Sequence, residues 1–334
     1  MTATTSEAPV SRWQAIRALS GKPTLEGHIG ILRPDHWFKQ VFALPGIAAA
    51  LSDSTGTIPG GIGVRIVAGF ASLCLVASSN YVINEMLDAP SDLSHPTKRL
   101  RPVPSGKVNI TLGYVEWIAT MVVGVGIGFL INVPFGLTVL ALWGMGCIYN
   151  IPPVRSKDLP YLDVLSESIN NPLRMLAGWY MTGINAFAPT SLLLSYWFVG
   201  CYFMALKRYA EYNEIGDPKR AAQYRESFAY YTPERLLVSV VFYASAAMLF
   251  LGAFVMRYRL ELILAFPLIA IVMAIYFSLA FQPESGVINP ERLYKQPRLM
   301  LAVTVCALAM LALLFIDIPA LDTVFRPTGL NIRT

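Results

Sequence analysis

Nine apolar runs, each near the length needed to cross a bilayer, dominate this sequence. They fall at 37–52, 63–87, 110–131, 133–150, 160–182, 187–206, 235–256, 260–281 and 298–317. About 20 helical residues cover a hydrocarbon core about 30 Å thick, so only the first run is short. Inside a bilayer every backbone N–H and C=O must be paired within the protein, which leaves helices and closed barrels as spanning structures. The period-2 alternation of a barrel strand is absent, so the barrel is excluded. Composition agrees: of 334 residues, 55% are hydrophobic and 14% charged, where a soluble domain carries about 25% charged residues. Mean hydropathy is +0.52. An ordinary cytosolic enzyme, a disordered chain and a nucleic-acid binder are all disfavoured. The expectation is an all-α polytopic bundle of about nine transmembrane helices, the third and fourth joined by a tight turn at Asn132-Val133-Pro134.

The formal charge of +5 acquires meaning from its placement. Twenty of the 26 Lys and Arg residues lie in the leader up to and including Lys39, in the loops 88–108 and 151–159, from Lys207 to Arg235, or between Gln282 and Arg298 inclusive. All of these segments fall on one side of the expected bundle. The positive-inside bias therefore predicts a cytoplasmic N-terminus and an outside C-terminus, which an odd number of spans permits. Residues 1–30 lack the apolar core of a signal peptide and read as a polar cytoplasmic leader. Residues 31–318 form the membrane domain and 319–334 a tail. Cys74, Cys147, Cys201 and Cys306 sit in apolar stretches and read as small buried hydrophobes. His28, His36 and His95 are too scattered for a metal-ligand set.

Polar residues within membrane helices are costly and mark candidate function. Asn84, Asp88 and Asp92, spaced i, i+4, i+8 at the end of the second span, stack oxygen ligands on one helical face. Pro90 either ends the helix, so that Asp92 reaches the site from a loop, or is absorbed by it. Such a set suits Mg²⁺ bridging carboxylates to substrate phosphates; a solvated acidic helix end is the plain alternative. Lys98, Arg99 and Arg101 follow at once, in His95-Pro96-Thr97-Lys98-Arg99-Leu100-Arg101-Pro102, and supply phosphate donors or, more simply, lipid and topology contacts. On the fifth span Asp163, Glu167, Asn170, Asn171 and Arg174 form one polar stripe that either lines a cavity or pairs internally, as Glu167 with Arg174. Pro172 is expected to kink that helix. Lys207-Arg208-Tyr209-Ala210-Glu211-Tyr212 closes the sixth span, and Arg33-Pro34-Asp35-His36-Trp37-Phe38-Lys39 opens the first, with Trp37 read as an interfacial anchor. The expected topology gathers all four sets at the cytoplasmic surface, two acidic helices facing each other across a basic rim. Segment 212–232 reads as a cap over them. Gly60-Gly61, Gly124, Gly126 and Gly128 suit close helix packing within one chain or between copies, so a homo-oligomer stays open.

These residues resemble the UbiA superfamily of intramembrane prenyltransferases over about residues 30–317. Within it the pattern is most similar to the bacterial decaprenyl-phosphate phosphoribosyltransferase branch, through Leu32-Arg33-Pro34…Trp37…Lys39, the 95–102 run, Lys157…Arg174…Ala177-Gly178 and Lys207-Arg208-Tyr209-Ala210-Glu211. The resemblance implies an enzyme of the bacterial cytoplasmic membrane with its active site at the cytoplasmic face. It would transfer 5-phosphoribose from 5-phosphoribosyl 1-diphosphate to a polyprenyl phosphate and release diphosphate. It further implies that Asn84, Asp88 and Asp92 hold Mg²⁺-diphosphate, that Lys39, Lys98, Arg99, Arg101, Lys207, Arg208 and Tyr209 grip substrate, and that Arg174 and Glu211 contact the ribose or its phosphate. Asp163, Glu167 and Asn171 join the substrate set.

Two features depart from that branch. Asn84-Glu85 stands where Asn-Asp is usual, and Asp163 with Glu167 resembles the second acidic motif of enzymes that use prenyl diphosphates. The alternative function is accordingly prenyl transfer from a polyprenyl diphosphate to an aromatic, quinone-precursor or tetrapyrrole acceptor. A transporter or non-catalytic lipid scaffold is a third reading, and no inverted repeat supports it.

Overall fold

The structure, a computed structural model, describes Ile16 and residues 21–53, 60–93, 97–283 and 285–325. Most of the leader and the end of the tail thus lie outside the described residues. Every regular element among the described residues is helical. In chain order the α-helices are α1 (Leu25–Ile31), α2 (Leu44–Asp53), α3 (Ile62–Asp92), α4 (Ile110–Ile131), α5 (Val133–Asn150), α6 (Leu162–Ser168) and α7 (Asn170–Met181). They continue as α8 (Thr190–Ile215), α9 (Pro218–Tyr224), α10 (Pro233–Tyr258), α11 (Phe266–Leu279), α12 (Pro297–Phe315) and α13 (Pro319–Val324).

All the expected spans are helical, but only six among the described residues are long and apolar enough to cross a membrane. These are α3, α4, α5, α10, Leu260–Leu279 and α12. The other three expected runs do not form one helix of both that length and that apolarity. The first run begins as a 3-10 segment, Pro34–Ala43, before α2. The fifth is broken between α6 and α7. Pro172 has no N–H to offer the Ser168 carbonyl four residues back, and its ring crowds that carbonyl. The expected kink at Pro172 is therefore a break one turn earlier. The sixth run is part of a single 26-residue helix, α8, whose last turns are polar.

The helices fall into two compact units. The first holds the described residues up to Val41 together with Gly63–Ser156. Polar side chains stitch its helices: Ser72 Oγ donates to the Gly124 carbonyl at 2.6 Å and Ser79 Oγ to that of Trp117 at 2.7 Å. Asn80 donates to the Leu142 carbonyl at 3.1 Å. In an apolar medium such bonds replace the hydrophobic drive that holds soluble bundles together. The expected turn at 132 is tighter still, since Asn132 alone separates α4 from α5 and its Oδ1 accepts the Phe135 N–H at 2.8 Å.

The second unit holds Phe42–Ile62 and the chain from Lys157 onward. Its core, with Leu206, Phe228, Leu236 and Tyr243 all buried, joins α8 to α10 and to the segment before α10. Gly46 and Gly178 let α2 and α7 touch: a Cβ on Gly178 would lie 2.0 Å from the Ala43 carbonyl oxygen, and one on Gly46 1.8 Å from that of Met175. Backbone atoms cannot step aside as a side-chain tip can. Gly178→Ala should therefore cost about 1–3 kcal/mol through overpacking, read as a lower thermal midpoint in detergent. Gly252→Ala, where nothing lies within 4 Å, serves as the control and should leave the midpoint near that of the wild type.

Candidate active site

In the first unit α3 runs on through Pro90 to Asp92, so the i, i+4, i+8 register of Asn84, Asp88 and Asp92 is kept in one helix. At 1.5 Å per residue the outer two stand about 12 Å apart along the axis, too far to ligate one ion together. Among the described residues no cluster of three or more His, Cys, Asp or Glu side chains is placed to hold a metal. Instead each carboxylate has an arginine. Asp88 Oδ1 accepts from Arg155 Nη2 at 2.9 Å, and Asp92 Oδ2 from Arg101 Nη1 at 2.8 Å. The Asn84 amide nitrogen donates to Asn150 Oδ1, so its carbonyl oxygen is the atom it can offer to a cation. Arg155 also donates to the Asn150 backbone carbonyl at 3.1 Å, which fixes its approach to Asp88. The donor set is hard oxygen throughout and fits a Mg²⁺ that takes one or two carboxylates and fills its shell from substrate phosphates and water.

Glu85 points the other way. It is buried, and its Oε1 accepts the Val103 N–H at 3.0 Å. The longer carboxylate arm at this position thus tethers the 101–105 turn to α3, and that turn carries Arg101 to Asp92. Of the basic run, Arg99 is exposed and Lys98 half-buried in the 3-10 turn Lys98–Leu100. His95 and Pro96 lie outside the described residues. Lys39 Nζ sits 5.9 Å from the Tyr81 ring centroid, over α3. Trp37 is more than an interfacial anchor, because its indole N–H donates to Ser78 Oγ at 2.9 Å and Ser78 donates to the Leu32 carbonyl at 2.8 Å.

In the second unit the polar stripe resolves into a buried network. Asp163, fully buried, accepts from Arg208 Nε at 3.0 Å and Ser227 Oγ at 3.4 Å on Oδ2, and from the Tyr231 hydroxyl at 2.6 Å on Oδ1. Arg208 Nη1 also donates to Glu211 Oε2 at 3.0 Å. Asp163 and Arg208 thus form a buried carboxylate–arginine pair. Lys207 reaches Glu211 Oε1 at 3.9 Å, its side chain 24% exposed against 3% for Arg208. Glu167, Asn171 and Arg174 are half-buried on α6 and α7, Asn171 packing on Gly200 of α8. Tyr209 lies in the apolar core, its ring 5.0 Å from that of Phe281.

Burial alone would raise the Glu211 pKa, but the Arg208, Lys207 and Arg225 cations hold it below the usual carboxylate range. Burial and then the Asp163 carboxylate push the Tyr231 phenol up. For a carboxyl lowered by folding, the stabilisation is complete above its unfolded-state value and is lost as pH falls through the lower folded value. Glu211→Gln should therefore flatten the acid limb of a thermal-stability-against-pH curve below about pH 4.3, the ordinary glutamate value, and leave the neutral region's slope unchanged.

Arg155, Asn150, Ser227 and Tyr231 were not foreseen as site residues. Arg155 had counted only as a topology charge. A sequence signal for it exists, since a lone arginine five residues beyond a helix-terminal asparagine can fold back on that helix end. Tyr231 carried none: its segment is rich in tyrosine, and only packing selects one.

Helices of membrane length, an oxygen-bearing stripe paired with arginines on one helix and a buried ion-pair network on another describe a helical membrane-protein fold with charge enclosed in its interior. The family model described as the UbiA prenyltransferase family matches residues 41–294. The chain belongs to the UbiA prenyltransferase family, which places it in a superfamily of intramembrane transferases. A decaprenyl-phosphate phosphoribosyltransferase of Corynebacterium glutamicum is 31% identical over 64% of this chain and 63% of its own length. One of Mycolicibacterium smegmatis is 30% identical over 64% of the chain and 65% of its own length. The chain thus spans just under two thirds of these relatives. A solved UbiA homolog from Archaeoglobus fulgidus bound to GPP and Mg²⁺ superposes with a TM-score of 0.66 at 21% identity, covering 87% of this chain and all of that one. At that identity the likeness speaks for the fold.

Proposed function

We propose that this protein transfers 5-phosphoribose from 5-phosphoribosyl 1-diphosphate to a polyprenyl phosphate in a Mg²⁺-dependent reaction. The observation that carries the choice of donor is the agreement of the two relatives near 30% identity, both decaprenyl-phosphate phosphoribosyltransferases. The arginine-paired carboxylates of α3 support the leaving-group chemistry. In the reaction the bond from ribose C1 to the diphosphate oxygen breaks and a phosphate oxygen of the lipid bonds to C1. Mg²⁺, when bound with the diphosphate, neutralises charge that builds on the leaving oxygens. Asp88, at the middle of the stripe, would hold that cation together with either the Asn84 carbonyl or Asp92, the third facing the diphosphate with its own ion. Arg155 and Arg101, already beside the carboxylates, donate to the diphosphate as it departs, an electrostatic preorganisation that needs no rearrangement at the moment of reaction. Lys39, Lys98 and Arg99 bind further phosphate oxygens, and Lys207 serves as an anion-binding cation of the second unit. The acceptor phosphate is anionic at neutral pH, so no strong general base is needed.

The proposal includes a bundle of nine spans over residues 31–318 in a bacterial cytoplasmic membrane, N-terminus and site at the cytoplasmic face and C-terminus outside. It follows from the charge asymmetry of the loops. A second reading is prenyl transfer from a polyprenyl diphosphate to an aromatic or related acceptor, favoured by the GPP-bound homolog of the same fold. Purified protein with Mg²⁺ decides between them when offered phosphoribosyl diphosphate with polyprenyl phosphate, and separately geranylgeranyl or farnesyl diphosphate with candidate acceptors. Lipid-linked phosphoribose in the first mixture is the expected result. Its absence alongside turnover of the prenyl diphosphates would hand the function to the second reading.

A further inference from the structure

The second acidic helix contains a carboxylate whose surroundings do not suit a metal ligand. Asp163 is fully buried, and both its oxygens are engaged by protein donors: Tyr231 on one, Arg208 and Ser227 on the other. A cation could reach it only by displacing a guanidinium and a phenol hydroxyl from a site closed to solvent. These contacts join three pieces of chain: α6 through Asp163, α8 through Arg208 and Glu211, and the segment before α10 through Ser227 and Tyr231. Tyr231 does double duty, since its oxygen also accepts the Tyr161 N–H at 2.6 Å and so holds Tyr161 in the left-handed region at φ 63° just before α6. The 225–231 segment, read from sequence as part of a cap, is fastened to the bundle by this carboxylate.

The network also sorts the adjacent cations. Arg208 is nearly inaccessible and bridges Asp163 to Glu211, whereas Lys207 keeps a partly exposed side chain, its ammonium at a looser 3.9 Å from Glu211. Arg225 and Glu167 lie within electrostatic reach of the same group. Because Asp163 occupies Arg208 Nε, Glu211 is shared between Arg208 and Lys207, and Lys207 remains the cation able to turn to an arriving anion.

We propose that Asp163 is a positioning residue that, with Tyr231, Arg208 and Glu211, aims Lys207 at a phosphate of the substrate, and that it ligates no metal. The proposal rests on the anionic-substrate reading above, and holds whether the diphosphate donor carries ribose or a prenyl chain. It divides the two acidic helices by role, α3 binding the metal-diphosphate and α6 aligning a cation.

The test compares Asp163→Asn, Lys207→Ala and Asp88→Asn in whichever donor assay turns over. Asp163→Asn keeps an acceptor for Tyr231 but removes the charge that restrains Arg208. For it and for Lys207→Ala, the KM of a phosphate-bearing substrate should rise about tenfold or more, the value of one charge-assisted hydrogen bond. Half-activating Mg²⁺ should stay at its wild-type concentration in both and rise in Asp88→Asn. Titration calorimetry with Mn²⁺ in detergent supplies a readout without turnover, and stoichiometry should be unchanged in Asp163→Asn. A lower Mn²⁺ stoichiometry, or a Mg²⁺ requirement shifted as far as in Asp88→Asn, would make Asp163 a ligand and overturn the proposal. So would unchanged KM values with only a fall in thermal midpoint, which would make the network merely structural. Should Asp163→Asn not fold, Tyr231→Phe, which removes one hydroxyl, is expected to show a smaller KM rise in the same direction, and an unchanged KM there overturns the proposal equally. If neither donor turns over, the catalytic reading fails while the Mn²⁺ stoichiometry still judges the role of Asp163.

Discussion

Asp88→Asn is expected to lower the Mg²⁺-dependent transfer rate by about 10²–10³-fold, the range seen when a preorganised charge-stabilising group is removed. The substitution is nearly isosteric and keeps an oxygen for Arg155, whose Nη2 lies 2.9 Å from Asp88 Oδ1. Folding should therefore be little affected, and the deficit should appear as lost turnover together with a raised requirement for Mg²⁺. Steady-state rates across a Mg²⁺ titration measure both. Asp88 was chosen over Asp92 because its side chain is 20% exposed, against 6% for Asp92, and so is the more accessible to an arriving cation. A variant that keeps its rate to within about threefold would remove Asp88 from the metal-diphosphate site, and would favour the non-catalytic scaffold.

Arg208→Met is the substitution expected to cost most in stability. It leaves the Asp163 and Glu211 carboxylates buried without their shared guanidinium, and breaking a buried ion pair from one side costs about 3–5 kcal/mol. That approaches the whole stability of many domains, so the variant should accumulate poorly and unfold at much lower temperature in detergent. The triple variant Asp163→Asn, Arg208→Met, Glu211→Gln removes all three charges and should recover much of the loss, because neutral groups of similar volume replace an uncompensated charge. Arg208→Lys should recover less, since an ammonium lacks the fixed fork that serves two carboxylates at once. Thermal unfolding of the three variants side by side checks the order. An Arg208→Met protein as stable as the wild type would show that the network carries no folding load.

The helical architecture was legible because apolar run length and the absence of period-2 alternation are local properties. What sequence periodicity overstated was continuity. The run 160–182 looks like one span, yet Pro172 cannot bond the Ser168 carbonyl, and α6 parts from α7 there. The opposite error was available at Pro90, which α3 absorbs. A proline forbids one hydrogen bond in either case, and the surrounding packing decides whether the helix survives it.

At the proposed site, residue types and spacing singled out Asn84, Asp88, Asp92 and the Lys98–Arg101 run as candidates, because side-chain register on a helix is fixed by 3.6 residues per turn. They could not identify partners. Arg155 meets Asp88 across 67 residues, and Tyr231 meets Asp163 across 68; nothing local encodes such pairs. Nor could spacing separate two acidic helices that look equivalent in one dimension. The sequence by itself determined a helical membrane protein, its charge asymmetry and the oxygen-bearing stripe of α3, since each follows from local composition and period. Only the tertiary structure decided which carboxylates are enclosed and which cations remain accessible. Burial and long-range pairing set those properties, and they exist only once the chain has packed.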